Sequence, residues 1–367
     1  MKKKILFLSP LPPPHYGASL LCEKCLNILQ DSKNFEIHNI KLNYSRKMND
    51  VGKINFKKIF GIFSVKKQIN QELKNFKPGL IYFAPATSGL GLIRDNFFVQ
   101  LIKKKNFSII FHVHSRANSS KSFEKKLLKK MFFGERAIVL GEELVKDVSW
   151  IIPKKNIRIL SNAIKNEVSV GEFRKILINR KKKKIPNILF LSNMDETKGW
   201  FKVLEACNLL KDKKIDFKCN FVGAWPSKIE EKRFFDYVSK NNLKEKVFYL
   251  GKKIGEDKNR IFASSDIFVF PTEYKLETFG LVILEAMMFG LPVIATDIAT
   301  IPSTVIHKQT GFVLKENTPQ AISNEIMELI KNKSLQHKMG ALGRKRFIEN
   351  YEINNYRKKL IKLMKGF

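Results

Sequence analysis

Two glutamates eight positions apart, Glu277 and Glu285, are the residues whose type and spacing could do chemistry. They lie in the stretch F-P-T-E-Y-K-L-E-T-F-G-L-V-I-L-E-A-M-M-F-G-L-P-V-I-A-T-D, residues 270–297. Glu285 stands among Leu284, Ala286, Met287 and Met288, and a carboxylate in such surroundings is costly unless its oxygens find donors. The vicinal hydroxyls of a ribose offer two donors at the right separation. Glu277 is in the polar loop before a helix. There Thr278, Phe279, Gly280 and Leu281 would present free backbone N–H groups at the positive dipole end, which favours a phosphate or a polar sugar edge. Two acids at this spacing, taken alone, better fit an ordinary strand–helix–strand unit with one solvated and one capped carboxylate.

Positioning such residues requires a scaffold, and the apolar pattern predicts one. Around the two acids it predicts a buried strand ending at Phe270, a helix over 280–289 closed by Gly290, and a second strand over 292–296. Short apolar runs over 5–9, 80–84, 108–114, 136–140, 157–161, 218–222 and 247–250 are likewise expected as strands, with another opening at Asn187. Helical patterns over 19–30 and 92–104 alternate with them, and both halves repeat the alternation of a doubly wound fold. A chain of 367 residues is natural for two such domains. Between them the apolar pattern thins and R-K-I-L-I-N-R-K-K-K-K reads as a charged linker rather than a folded element. The expected division is a first domain over 1–165, a linker over 166–186, a second domain over 187–345 and a last helix over 346–367.

The context P-T-E-x3-E-T-F-G-L-x2-L-E-A-M-x2-G-L-P-V-I-A-T closely resembles the signature of family 4 glycosyltransferases. That resemblance implies the α/β GT-B fold: two Rossmann-like, doubly wound parallel-sheet domains facing a central cleft, the last helix crossing back to the first. It implies transfer of a glycosyl group from a nucleotide sugar to an acceptor hydroxyl with retention of configuration. Glu277 would hold sugar hydroxyls and Glu285 the ribose. The strand over 108–114 presents His112 and His114 on one face at its carboxyl end, and the family histidine that reaches the donor sugar aligns best with His114. Lys198, in Lys198-Gly199, would bind the diphosphate, and Gly17 matches the family's glycine loop, with Ala18 where a second glycine is common. Main-chain contacts to the base are expected at Lys252. Glu277, Lys198 and His114 are thus the expected catalytic residues. The donor-binding set adds Gly17, Asn193, Lys252, Thr278, Phe279, Gly280, Leu281 and Glu285.

Two departures matter. Asn193 and Ser192 replace the family's Gly-Arg, so one charge-neutralising contact becomes a neutral hydrogen bond or is lost. Ala299-Thr300-Ile301-Pro302-Ser303 replaces Gly-Gly-x-Pro-Glu, leaving Ser303 as the expected helix cap. No Asp-x-Asp or other metal-ligand spacing occurs, which agrees with the metal independence the resemblance implies. No cofactor is expected beyond the nucleotide sugar as substrate.

Charge narrows the partners. With 68 Lys+Arg against 34 Asp+Glu the formal charge is +34, which predicts attraction to polyanions, although lysines spread over every solvated face give the same count. No zinc finger, aromatic RNA-binding motif or basic zipper is present, so nucleic acid is not expected. An anionic membrane surface fits better. Residues 121–133 alternate lysine pairs with Phe123, Leu127, Leu128, Met131 and Phe132 and form the main membrane-contact candidate; residues 51–77 are a second. Cys22 and Cys25 lie inside an apolar helix pattern without a second pair or a histidine at metal spacing. With Cys207 and Cys219 they imply buried thiols in a reducing compartment. The apolar run near the start is four residues, too short for a signal peptide, and no segment is a membrane span. The expected location is cytoplasmic, peripheral at the inner face of the cell membrane. The expected acceptor is a lipid-linked glycan of bacterial surface polysaccharide synthesis. A non-catalytic nucleotide-sugar-binding or assembly protein, and a GT-B epimerase or phosphorylase, remain open alternatives.

Overall fold

The computed structural model describes residues 2–14, 16–42 and 56–367, so the first part of the amphipathic pattern over 51–77 lies outside the described residues. The chain forms two compact units, Met1–Asn162 with Tyr356–Phe367, and Ala163–Asn355. The first unit runs β1 (Lys3–Ser9), α1 (Gly17–Gln30), β2 (Phe35–Lys41), α2 (Phe56–Asn75), β3 (Leu80–Phe83), α3 (Gly89–Lys103), β4 (Ile109–His112), α4 (Ser122–Phe132), β5 (Arg136–Val139), α5 (Val145–Val148) and β6 (Ile157–Ile159). The second opens with α6 (Val170–Lys181), β7 (Asn187–Leu191), α7 (Trp200–Asp212), β8 (Lys218–Val222), α8 (Lys228–Lys240), β9 (Val247–Tyr249), α9 (Gly255–Ser264) and β10 (Ile267–Phe270). It continues with α10 (Leu281–Met288), β11 (Val293–Thr296), α11 (Ile301–Thr304), β12 (Gly311–Leu314), α12 (Pro319–Lys331) and α13 (Lys333–Asn350). The last helix, α14 (Ile353–Gly366), starts there, and its residues from Tyr356 onward pack in the first unit.

Each unit holds one six-stranded parallel sheet, in the order β2-β1-β3-β4-β5-β6 and β12-β11-β10-β7-β8-β9. Ile5, Leu6, Phe7 and Leu8 of β1 are wholly buried between β2 and β3, which explains why the strand carries no apolar–polar alternation: helices cover both faces. Strand order decides where a ligand fits. The chain leaves β7 toward β8 and β9, then returns to lay β10 on the other side of β7. The loops after β7 and β10 therefore diverge at a topological switch point, where open α/β sheets leave a crevice outside their carboxyl ends.

The expectation of a linker over 166–186 is corrected. Residues 170–181 are helical, started by a capping box in which the Ser169 side chain accepts from Glu172 N and Glu172 Oε2 accepts from Ser169 N. Arg180 is buried at its end, donating from Nη1 to Phe289 O (2.9 Å) and Gly290 O (3.2 Å) and from Nη2 to Phe262 O (2.9 Å). A guanidinium can be buried where carbonyls meet its N–H groups, and charge counting along the chain does not reveal those carbonyls. The 108–114 strand stops at His112, although Val113 N still donates to Ile138 O. Ser303 does not cap a helix: Thr300 holds that position in α11, and Ser303 Oγ donates to Thr300 O. The edge strand β2 (F-E-I-H-N-I-K) escaped the apolar pattern because it is largely solvated.

Candidate functional site

Lys198 and Glu277 come from the two loops at the switch point of the second sheet. Asp195 Oδ1 accepts from Thr197 N and starts a single tight turn, Glu196–Lys198, which ends on Gly199 at φ 86°. That left-handed glycine is required twice over. Its φ disfavours a side chain, and a Cβ there would lie 2.3 Å from the Pro271 carbonyl oxygen. Close approach lets Glu273 N donate to Thr197 O at 2.7 Å, pinning one loop to the other. Lys198 Nζ then reaches Glu277 Oε2 at 2.8 Å and stands 4.0 Å from the centre of the Tyr274 ring. Both charged side chains keep a small exposed surface, 16% and 14%. One ammonium N–H serves Glu277, so two donors remain to meet anionic oxygens.

The loop before α10 differs from expectation in which groups it offers. Gly280, at φ 68°, is the N-cap residue, and its N–H donates to Glu277 Oε1 at 3.2 Å. It is therefore engaged by the protein. Phe279 is buried against the Tyr351 ring, and Thr278 O accepts from Thr300 Oγ1 at 2.9 Å, so these two residues brace the loop. Leu281 opens the helix itself.

Glu285 is not surrounded by apolar groups. Leu284 and Ala286 are buried, but a helix turns consecutive residues to different sides, and Glu285 Oε1 meets Lys258 Nζ of α9 at 2.5 Å. Lys258 was not anticipated; no motif marks it, and only the neighbouring placement of α9 brings it in. Asn193 and Lys252 are both exposed, in the loops that follow β7 and β9. Backbone bonds stitch these loops into one edge: Ser192 N to Val222 O (3.0 Å), Met194 N to Ala224 O (2.9 Å) and Gly223 N to Gly251 O (3.1 Å). A Cβ at Gly223 would fall 1.7 Å from Ser192 O. Lys198, Asn193, Lys252 and Glu277 therefore all stand at the carboxyl edge of one sheet, with Glu285 in the helix behind.

Gly17 and His114 belong to the first unit, beyond the carboxyl ends of β1 and β4. Gly17 is exposed, with nothing within 4 Å of where a Cβ would be. His114 is buried with its ring 4.1 Å from that of His112, and burial holds its pKa down to about 4, so at neutral pH it is an uncharged imidazole. His112 is a structural residue: it is wholly buried and its Nδ1 shares a 2.6 Å hydrogen bond with Tyr82 Oη, a partner the sequence did not suggest. All four cysteines are buried free thiols, and Cys25 Sγ lies 2.8 Å from Tyr356 Oη. Among the described residues no group of three or more His, Cys, Asp or Glu is placed to hold a metal ion. None of the helices there is long and apolar enough to cross a membrane.

Comparison with known proteins places this geometry in a family. The model described as glycosyl transferases group 1 matches residues 142–346. An uncharacterized 41.2 kDa protein in the cps region of Klebsiella pneumoniae is 25% identical over 280 residues, 73% of this chain and 72% of that protein. The capsular polysaccharide biosynthesis glycosyltransferase CapM of Staphylococcus aureus is 26% identical over 243 residues, 63% of this chain and 61% of that protein, so the chain spans under two thirds of that relative. Among solved structures, Anabaena HepE in complex with UDP superposes with a TM-score of 0.75 at 14% identity, covering 100% of both chains. At that identity the likeness is one of fold, and the two-unit architecture is the two-domain, Rossmann-like GT-B fold.

Proposed function

Because the chain belongs to the glycosyl transferases group 1 family, we propose that it is a retaining, metal-independent glycosyltransferase. It moves a sugar from a nucleotide-sugar donor to an acceptor hydroxyl, the acceptor being a lipid-linked glycan of surface polysaccharide synthesis. The observation that carries this reading is the Lys198–Glu277 pair at the switch point of the second sheet. Support for the polysaccharide setting comes from the capsular role named for CapM and the cps location of the Klebsiella relative. Support for a uridine nucleotide comes from the UDP complex of HepE.

In this mechanism the bond between the anomeric carbon and the diphosphate oxygen breaks as the acceptor oxygen bonds to that carbon on the same face. The acceptor proton passes to the departing phosphate oxygen, and no protein nucleophile intervenes. What the protein supplies is stabilisation of the charge that grows on the leaving diphosphate. Lys198 meets that charge with its two remaining N–H donors, and Asn193 adds a neutral hydrogen bond. The backbone at Phe279, Gly280 and Leu281 approaches the phosphates and the sugar closely. Glu277, oriented by Lys198 and Gly280 N, holds sugar hydroxyls. Glu285 accepts from the ribose with Lys258 fixing its carboxylate, and the main chain at Lys252 reads the base. His114, uncharged at neutral pH, bonds a sugar hydroxyl as a neutral imidazole.

The membrane reading attaches to α4. Its Leu128, Met131 and Phe132 are spent on the protein core, but Lys125, Lys126, Lys129 and Lys130 are exposed, flanked by Phe123 (59% exposed) and Phe133 (66%). That row suits a cytoplasmic enzyme held reversibly at an anionic leaflet, where its acceptor is confined.

Asn193 favours one rival, a nucleotide-sugar binder without turnover, because it removes a cation from the diphosphate contact. A thermal-shift panel of UDP-, GDP- and dTDP-sugars, followed by an assay of nucleoside diphosphate release with a crude lipid-linked acceptor, tests both readings. Stabilisation by one donor together with acceptor-dependent release is the expected result; stabilisation without release would establish the binder.

A further inference from the structure

The first unit holds a cavity of about 680 Å³ between the edge strand β6 and the last helix, made of none of the catalytic or donor-binding candidates. Its volume is that of an ordinary small-molecule site. Five cations line it: Arg136 at the start of β5, Lys155 and Arg158 on the β6 side, and Lys359 and Lys362 on α14. Among the described residues no Asp or Glu side chain lines it, and none of the five is within ion-pair distance of an Asp or Glu carboxylate. Lys359, Lys362 and Leu363 follow the i, i+3, i+4 spacing, so one face of α14 turns two lysines toward the strand. The buried face of α14 is Tyr356, Leu360 and Met364, which leaves both lysines exposed at the rim of the cavity. Like charges gathered around one space repel, and the repulsion is relieved when an anion with several oxygens enters. Arg136 is preset for that role, since its Nη1 donates to Phe367 O at 3.1 Å and its guanidinium lies over the Phe367 ring. Ile159, 38% exposed, and Leu363 add an apolar wall beside the cations.

We infer that this cavity is a second ligand site that takes a phosphate-bearing ligand, the phosphate oxygens shared among Arg136, Arg158 and Lys362. Such a phosphate can come from a soluble phosphate compound or from a lipid headgroup whose chain lies on Ile159 and Leu363.

The test is calorimetric titration of the full chain with inorganic pyrophosphate, comparing wild type, Arg158→Glu/Lys362→Glu, and a charge-matched control, Lys125→Glu/Lys129→Glu on α4. The cavity variant is expected to lose about tenfold or more in affinity for one binding event, and the control to stay within about twofold. Equal losses in the two variants would show attraction to net charge alone and overturn the site, as would no loss in the cavity variant. All four replaced side chains are exposed; Arg158→Gln/Lys362→Gln, which reverses no charge, must lose affinity in the same direction if the site is real. Comparing dihexanoyl phosphatidate with glycerol phosphate then separates the sources. Tighter phosphatidate binding that Ile159→Ser removes assigns a lipid headgroup, and equal binding assigns a soluble phosphate. If neither ligand binds, the site is overturned.

Discussion

Lys198 owes its place to two partners that hold its ammonium at the sheet edge, the Glu277 carboxylate and the Tyr274 ring. In such a largely buried pair, 16% and 14% exposed, desolvation offsets most of the attraction and the net contribution to folding is about 1 kcal/mol, whereas a cation facing a departing diphosphate acts in the transition state. Lys198→Ala is therefore expected to lower turnover about 100-fold while the unfolding midpoint in urea barely moves. Full activity in this variant would place the phosphate contact elsewhere. Glu285→Gln leaves Lys258 without its counter-ion, and if Glu285 holds the ribose as proposed, nucleoside diphosphate affinity should weaken by about 1–3 kcal/mol. Titration of free UDP checks this, and unchanged affinity would release Glu285 from the role. His114 makes a prediction about pH. Its folded pKa, about 4, lies below the usual 6.5, so between those values the unfolded chain binds more protons and stability rises with pH. The contribution is present above pH 6.5 and is lost as pH falls toward 4; it amounts to about 2 kcal/mol between roughly pH 7 and pH 5. His112 is shifted the same way by burial and by His114, so His114→Gln should shrink the loss of stability on acidification without abolishing it. An unchanged pH profile would mean that His114 is protonated as readily folded as unfolded.

At the scale of elements, α6 is the instructive case. Its sequence is cationic enough to resemble a solvated connector, yet Arg180 fastens it to the carbonyls that end α10 and α9, and the Phe173 ring lies 2.6 Å from where a Cβ on Gly290 would be. Removing that guanidinium takes the donor from the buried Phe289 and Gly290 carbonyls, while Phe262 O keeps Ser265 N. Arg180→Ala is expected to cost about 2–4 kcal/mol in urea denaturation, and Lys175→Ala, on the exposed side of the same helix, under about 0.5 kcal/mol. Equal small effects would return residues 170–181 to the status of a tether. Their capping signal, Ser169 three residues before Glu172, was available in the sequence, but the surrounding lysines outweighed it.

For the whole molecule the dominant quantity is the formal charge of +34. Each lysine near an anionic leaflet contributes about 1 kcal/mol at low salt, so the four exposed lysines of α4 are enough for reversible, salt-sensitive binding. Vesicles containing anionic lipid are expected to sediment the protein, neutral vesicles are not, and Lys125, Lys126, Lys129 and Lys130 replaced by Glu should abolish the effect. Sedimentation of the quadruple variant at the wild-type level would make α4 only a solvated face. Equal binding to neutral and anionic vesicles would remove the electrostatic explanation.

Much of the architecture was legible along the chain, because buried parallel strands write themselves as unbroken apolar runs and glycines mark where helices must stop. Ile5 to Leu8 and Ile267 to Phe270 are of this kind, and so is the loop-and-helix segment that carries Glu277 and Glu285. The family resemblance also pointed to Lys198 and His114 as candidates, since each rests on a few adjacent positions. The pairing of these groups was decided in three dimensions. Lys198 and Glu277 are 79 residues apart, and they meet because strand order returns β10 to the side of β7. Lys258 faces Glu285, Tyr82 faces His112, and Arg180 finds its carbonyls for the same reason: a charge or a donor carries no mark in the sequence of the partner that will satisfy it. The sequence determined which groups were present and which segments would be buried, and the packing of those segments selected the contacts each group could make.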